Sequence, residues 1–167
     1  MPGMDFHDTF TPVTKLTSNC IILALAARND WEVTQMDIKG AYLNADLDEE
    51  IFIAQLPGFS VPGKENHACQ FFKAIFRLKQ VGRRWYKCIC EAFSKIQFTR
   101  CGVEHCVFFK QIRLSFIVVV VAIDDLTLAS NSTNLLHETK DQLNAKFEMM
   151  DMGDIHWLLG IEVKHNH

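Results

Sequence analysis

The sequence lacks a hydrophobic run long enough to cross a bilayer. Its longest apolar stretch, Leu114 to Ile123, contains a serine and falls far short of the roughly 20 residues that a spanning helix needs. The amino terminus also lacks the charged-then-apolar order of a secretory signal. We therefore expect an intracellular, cytoplasmic protein with no membrane partner.

The sequence also lacks a strong charge excess and a zinc-knuckle spacing. A net charge of -3 predicts no general attraction to nucleic acid. Without a secretory signal, the six cysteines are expected as reduced thiols in the core. Cys88, Cys90, Cys101, His105 and Cys106 have the residue types of zinc ligands, but their spacing is not that of a knuckle. We do not expect a zinc site.

What is present indicates one globular domain. The 167 residues are 49% hydrophobic, include 13 Phe and are 22% charged, which suits a single packed core.

Charge is unevenly distributed, because residues 71–100 contain eight Lys or Arg and one acid, Glu91. From Lys79 onward the apolar residues recur at helical spacing, which predicts an amphipathic helix. The residues off its apolar stripe, Arg83, Arg84 and Lys87, are candidate nucleic-acid contacts, and a solvated helix face is the alternative.

Hydrophobic periodicity and turn residues predict an α+β domain. We expect an antiparallel sheet with helices packed on one face. Asp46 to Glu50 is interpreted as a solvated acidic loop. The predicted elements are a helix from Thr17 or Ser18 to about Asn29, strands Trp31 to Ile38 and Ile51 to Ile53, an extended segment Cys69 to Phe76, the basic helix, strands Cys106 to Phe109, Ser115 to Ile123 and Leu126 to Ala129, a helix from Asn131 or Ser132 to about Phe147, and a final strand or hairpin from His156 to Val163.

Two adjacent aspartates interrupt the apolar run Val119 to Leu128. An unpaired buried carboxylate is costly, so this run predicts a hairpin that lifts Asp124 and Asp125 to an exposed tip facing a cation. A plain acidic turn is the alternative, because Asp is a common turn former. Asp37 ends another predicted strand. On adjacent strands, the three carboxylates would suit two divalent cations about 3.5 to 4 Å apart, the arrangement used in phosphoryl transfer.

Six motifs extend over nearly the whole chain. They are Thr9-Phe10-Thr11-Pro12-Val13-Thr14-Lys15-Leu16, Gln35-Met36-Asp37-Ile38-Lys39-Gly40-Ala41-Tyr42-Leu43-Asn44, Leu78-Lys79-Gln80, Arg84-Trp85-Tyr86, Asp124-Asp125-Leu126 and Leu159-Gly160-Ile161-Glu162-Val163. In these motifs and in their order, the sequence resembles a copia-type retrotransposon reverse transcriptase, an RNA-directed DNA polymerase.

The resemblance implies a reverse-transcriptase palm with partial fingers and assigns roles to several residues. Asp37, Asp124 and Asp125 match the catalytic aspartates that bind two Mg²⁺ ions, or Mn²⁺. Tyr42 matches the aromatic residue that packs under the incoming sugar and rejects a 2′-hydroxyl, and a core tyrosine is the alternative. Gln80 matches a residue near the nucleotide and template, and Trp157 and Gly160 match the hairpin that grips the primer end.

The same resemblance implies partners and leaves the activity open. The expected partners are an RNA template, a DNA primer, deoxynucleoside triphosphates and the other polyprotein domains: upstream fingers, thumb, ribonuclease H and integrase. The parent element would act in a cytoplasmic virus-like particle, with this chain a single-domain fragment of its polyprotein. Arg77 replaces a usual glycine and Ala122 a usual aromatic residue. A non-catalytic nucleic-acid-binding remnant is therefore the second hypothesis, and an unrelated α+β protein with an acidic hairpin is the third.

Overall fold

The computed structural model describes residues 12–64, 66–73, 81–158 and 161–163. Within these ranges the helices are α1 (Leu16–Arg28), a 3₁₀-helix (Ala41–Asn44), α2 (Val81–Lys95) and α3 (Thr133–Asn144). The strands are β1 (Glu32–Ile38), β2 (Asp46–Ala54), β3 (Ala68–Lys73), β4 (Thr99–Arg100), β5 (Val107–Ile112), β6 (Ser115–Ala122), β7 (Asp125–Ser130), β8 (Met149–Asp154), β9 (Trp157–Leu158) and β10 (Ile161–Glu162).

Local sequence signals explain where two of the helices begin. The Ser132 side chain accepts a hydrogen bond from the Leu135 amide, so α3 begins at the predicted N-cap. The predicted cap of α1 at Thr17 or Ser18 is wrong, because that helix already begins at Leu16 and Lys15 occupies its N-cap position. The Ser18 hydroxyl instead donates to Glu104 Oε2 at 2.9 Å, so it serves a tertiary contact.

A six-stranded antiparallel sheet forms the centre of the described fold. Its strand order is β4-β5-β6-β7-β1-β8, so the β6–β7 hairpin lies beside β1. On one face, α2 and α3 pack against a core that contains Met36, Leu126 and Val119. On the other face, α1 packs against Val33 and Ala129. The prediction of helices on one face therefore holds for α2 and α3 and is wrong for α1. The reason is that β1, β6 and β7 present apolar side chains on both faces of the sheet, so both faces need a covering helix.

The acidic segment Asp46 to Glu50 is not a loop. It belongs to β2, which pairs with β3 in a separate two-stranded sheet. Asp46 and Glu50 remain exposed, and Lys73 forms an ion pair with Asp46. A strand in such a sheet can carry acidic residues because their side chains stay in water, so a charge pattern alone does not distinguish it from a loop.

The strand β8 was not predicted. Most of its residues are exposed, and its pairing with β1 is shifted at a bulge between Gln35 and Met36. Gly153 lies near this bulge with a φ of +73°, a conformation that favours glycine. β8 is also tied to α3, because Lys140 Nζ contacts Asp151 Oδ2 at 2.8 Å.

The predicted terminal hairpin is confirmed as β9 paired with β10. Within the described ranges, no helix combines the length and the apolar composition that crossing a membrane requires.

Candidate active site

The predicted hairpin is present as β6–β7 and carries Asp124 and Asp125 to one end of the sheet, but the prediction that both lie at an exposed tip holds for Asp124 only, because Asp125 already belongs to β7. Ala122 pairs directly with Asp125, so Ile123 and Asp124 form a two-residue turn. Asp124 is exposed and Asp125 is half-buried. Ile123 has a φ of +60°, which is rare for a β-branched residue. The tip of the hairpin is therefore a strained turn with one carboxylate on it and one directly after it.

Asp37 lies beside this pair. In the register of β1 with β7, Asp37 is directly opposite Asp125, and the Ile38 amide donates to the Asp124 carbonyl at 2.9 Å. Directly opposed residues of antiparallel strands have their Cβ atoms about 4.5 to 5.5 Å apart and their side chains on the same face. Two distant segments of the chain thus place three acidic residues at one end of the sheet.

Burial and the two neighbouring carboxylates disfavour the charged form of Asp125. Burial, followed by the charges of Asp124 and Asp37, raises the pKa of Asp125. Among the described residues, none of the three aspartates forms an ion pair. Lys39, which directly follows β1, is paired with Glu148 at 2.7 Å. The cluster is therefore an anionic site that no base among the described residues neutralises by an ion pair.

The donor chemistry of the cluster fits a hard divalent cation. All three side chains offer carboxylate oxygens, the ligands that Mg²⁺ prefers. Within the described ranges, no three His, Cys, Asp or Glu side chains lie close enough together to hold one metal ion. A Mg²⁺ site in a substrate complex needs only one or two carboxylates, because phosphates and water supply the other oxygens.

Within the described residues, one face of the sheet beside the aspartates is partly exposed. Ala122, Asp125, Asp37 and Met150 are opposite one another on β6, β7, β1 and β8, and so form a row on the same face. This face lies across the sheet from α2 and α3, and α1 covers it at the other end of the strands. Met150 is 49% exposed at the edge of the row. The row is thus half-buried at Ala122, Asp125 and Asp37 and exposed at Met150.

Tyr42 lies next to the aspartates because the chain turns sharply after β1. Gly40 has a φ of +56° and starts the 3₁₀-helix, and the Asn44 side-chain amide donates to the Gly40 carbonyl at 3.3 Å. Burial and the charge of Asp124 raise the pKa of Tyr42. Tyr42 also lines a small cavity behind the hairpin with Trp85 and Ile123. Its position suits both hypotheses, since Tyr42 packs against the core and faces Asp124.

The structure describes some of the other predicted site residues, and it places two of them away from the aspartates. Arg83 and Lys87 lie on the exposed side of α2, across the sheet from Asp37 and Asp125, and Arg84 is half-buried. Trp157 is 59% exposed in the terminal hairpin. Gln80, Gly160 and the unusual Arg77 lie outside the described residues. The assignments of these residues remain predictions.

Sequence reasoning missed the contact between α2 and the hairpin tip. The indole Nε1 of Trp85 donates to the Ile123 carbonyl at 2.7 Å. The available signals were the Arg84-Trp85-Tyr86 motif and the apolar stripe of the helix, which predict burial of Trp85 but not its hydrogen-bond partner. Met150 was missed as well, because β8 itself was missed.

Comparison with known proteins adds independent information. The family model described as reverse transcriptase (RNA-dependent DNA polymerase) matches residues 1–167. The chain is 37% identical over 163 residues to the retrovirus-related Pol polyprotein from transposon TNT 1-94 of Nicotiana tabacum, covering 96% of this chain and 12% of that protein. It is 34% identical over 163 residues to the retrovirus-related Pol polyprotein from transposon RE1 of Arabidopsis thaliana, covering 98% of this chain and 11% of that protein. The chain thus spans a small part of the length of these relatives.

Proposed function

Because this chain belongs to the reverse transcriptase (RNA-dependent DNA polymerase) family of copia-type elements, we propose that it is a palm with partial fingers that adds deoxynucleotides to a DNA primer on an RNA template. The observation that supports this best is the position of Asp37 directly opposite Asp125, with Asp124 at the adjoining hairpin tip. The chain is proposed to be a single domain of a longer polyprotein that also contains the upstream fingers, thumb, ribonuclease H and integrase.

In the proposed reaction the primer 3′-oxygen attacks the α-phosphorus of a deoxynucleoside triphosphate, and pyrophosphate leaves. Asp37 and Asp124, with Asp125, would hold two Mg²⁺ ions, or Mn²⁺. When bound, such ions activate the attacking oxygen and neutralise the charge that develops on the phosphates. The row of partly exposed residues supports this role, because a primer end and a triphosphate could approach Asp37 and Asp125 from this face.

Tyr42 is proposed to select the sugar. Its half-buried ring lies at the turn after β1, and its hydroxyl is close enough to Asp124 for that charge to raise the pKa of Tyr42. A nucleotide whose phosphates face the aspartates would bring its sugar near this ring. The ring would then fill the space that a 2′-hydroxyl needs.

The nucleic-acid contacts are proposed from charge and resemblance. Arg83, Arg84 and Lys87 would contact a phosphate backbone along the outer side of α2, with binding that weakens as salt rises. Gln80 would contact the nucleotide and template, and Trp157 and Gly160 the primer end. The proposed setting is the cytoplasmic virus-like particle of the parent element.

Primer extension tests the proposal. The assay uses the chain with a primed RNA template, Mg²⁺ and deoxynucleotides, and compares it with Asp37→Asn and Asp124→Asn. Asp154→Asn is the matched control, since it makes the same change at the far end of β8, opposite Thr34. We expect extension by the unchanged chain and the control and none by the other two variants, with circular dichroism showing that all four fold. Extension by Asp37→Asn or Asp124→Asn would end the proposed mechanism.

A non-catalytic nucleic-acid-binding remnant is the second candidate function. The observation in its favour is that, within the described residues, no three acidic or other ligand side chains form a preassembled metal site. Salt-sensitive binding of a primed template, together with no extension and no Mg²⁺-dependent binding of a deoxynucleotide, would support this candidate over the polymerase.

A further inference from the structure

The hairpin that carries Asp124 and Asp125 needs a restraint. Ile123 has a φ of +60°, and it is the only one of the two central turn residues with a positive φ. This sign pattern is that of a type II′ turn, whose first central position favours glycine. Such strain costs about 1 to 3 kcal/mol and persists only where surrounding structure holds it. Burial of the Ile123 side chain cannot be the restraint, because that side chain is 52% exposed.

Trp85 supplies the restraint from the other side of the sheet. Its Nε1 donates to the Ile123 carbonyl at 2.7 Å, and the residue is 3% exposed. Its ring meets Phe147 edge to face, with centroids 5.4 Å apart. Because α2 and the segment after α3 both fix the ring, the donor has little freedom to follow a moving turn.

The neighbouring carbonyl of the turn is held as well. The Asp124 carbonyl accepts from the Ile38 amide, directly after Asp37 on β1. Both carbonyls of the turn are thus bonded, one to α2 and the other to the strand that carries the third aspartate. These two hydrogen bonds oppose the mutual repulsion of Asp37, Asp124 and Asp125, which would otherwise favour opening of the turn.

We propose that Trp85 is a positioning residue, whose indole N–H holds the Ile123 peptide so that Asp124 and Asp125 face the cation and substrate in a preorganised arrangement. The inference rests on the proposed polymerase site, but it concerns the state of the hairpin before any ligand binds. Its expected effect is therefore visible both in cation affinity and in the dynamics of the free chain.

A double-mutant cycle measures the role in cation binding. Trp85→Phe keeps a buried ring and removes the donor, and we expect it to weaken Mn²⁺ affinity about tenfold, measured by water-proton relaxation. Ile123→Gly relieves the positive-φ strain, so in that background Trp85→Phe should weaken Mn²⁺ affinity less than about threefold. Trp31→Phe is the control, because it removes an indole that packs on Phe116 at the opposite end of β1. It should leave the affinity unchanged.

Hydrogen exchange measures the same role without a cation. In Trp85→Phe we expect exchange to rise about tenfold in residues 121–126 and to stay unchanged in β5 and in the middle of β6. A merely structural loss of core packing would instead raise exchange throughout α2 and the sheet.

The outcomes separate this inference from the proposed function. Equal weakening of Mn²⁺ binding by Trp85→Phe in both backgrounds, or unchanged exchange at the hairpin, would overturn the positioning role. If the unchanged chain binds no Mn²⁺, the proposed function fails, and exchange alone decides: a local rise supports the role of Trp85 and its absence overturns it.

Discussion

Replacing Asp37 with Asn should stabilise the fold when divalent cations are absent. Asp37 is directly opposite Asp125, and no described residue forms an ion pair with either carboxylate. Removing one charge removes a repulsion and keeps the shape of the side chain. The substitution that abolishes the proposed activity is therefore expected to raise the free energy of unfolding.

The register of β1 with β7 sets the distance between Asp37 and Asp125, and with it the size of their repulsion. Two charges about 5 Å apart repel by about 0.8 kcal/mol in a water-like dielectric and by about 3 kcal/mol at an effective dielectric of about 20. Asp125 is only half-buried, so solvent screening favours the lower part of this range. We expect a gain of about 1 kcal/mol, which raises the Tm of a chain of this size by about 2 to 4 °C.

The gain should depend on pH with a definite sign. The pKa of Asp125 is higher in the folded chain than its ordinary value of 3.8. A carboxyl with a raised folded pKa destabilises the fold above that pKa, and the destabilisation is lost as the pH falls through the folded pKa towards 3.8. The advantage of Asp37→Asn is therefore expected in full at pH 7 and should shrink as the pH approaches 3.8.

Thermal unfolding monitored by circular dichroism is the assay, in EDTA and in Mg²⁺. Cation at ten times its Kd stabilises the unchanged chain by about 1.4 kcal/mol, which should cancel the advantage of the variant. Asp154→Asn, on the same sheet but away from the hairpin, should show neither effect. A lower Tm for Asp37→Asn in EDTA at pH 7 would refute the reasoning, because it would mean that the Asp37 charge is compensated in the folded chain.

Two further predictions concern the neighbours of the cluster. Tyr42→Ala should raise the ratio of ribonucleotide to deoxynucleotide incorporation about tenfold or more, whereas Tyr42→Phe should leave this ratio unchanged. Single-nucleotide extension measures the ratio. Equal ratios for the unchanged chain and both variants would exclude sugar selection by the ring. Asp151→Asn should cost about 0.5 to 1 kcal/mol in urea unfolding at pH 7, because the hydrogen bond from Lys140 lowers the pKa of Asp151. Since that pKa is lowered, the stabilisation by Asp151 is present in full above about pH 3.8 and is lost as the pH falls through the folded pKa, so a deficit that does not shrink as the pH is lowered below 3.8 would contradict this origin.

Local patterns were sufficient for the elements that carry strong periodicity or a clear cap. The apolar stripe of α2 and the Ser132 cap of α3 are examples. The hairpin was predictable because a pair of aspartates inside a valine-rich run cannot remain buried without a partner. β8 and the acidic first half of β2 were missed, because exposed or acidic strands lack the alternation that marks a half-buried strand.

The sequence by itself determined the family and marked the three aspartates as candidate metal ligands, because motifs depend on residue types and their order along the chain. Only the tertiary structure decided that Asp37 is directly opposite Asp125, since strand register arises from pairing between segments that are distant in sequence. It also decided that Trp85 donates to the strained Ile123 peptide, whereas Arg83 and Lys87 lie across the sheet from the carboxylates. A helical stripe predicts which side chains are buried, but their hydrogen-bond partners and the side of the sheet on which the helix lies depend on how the helix packs.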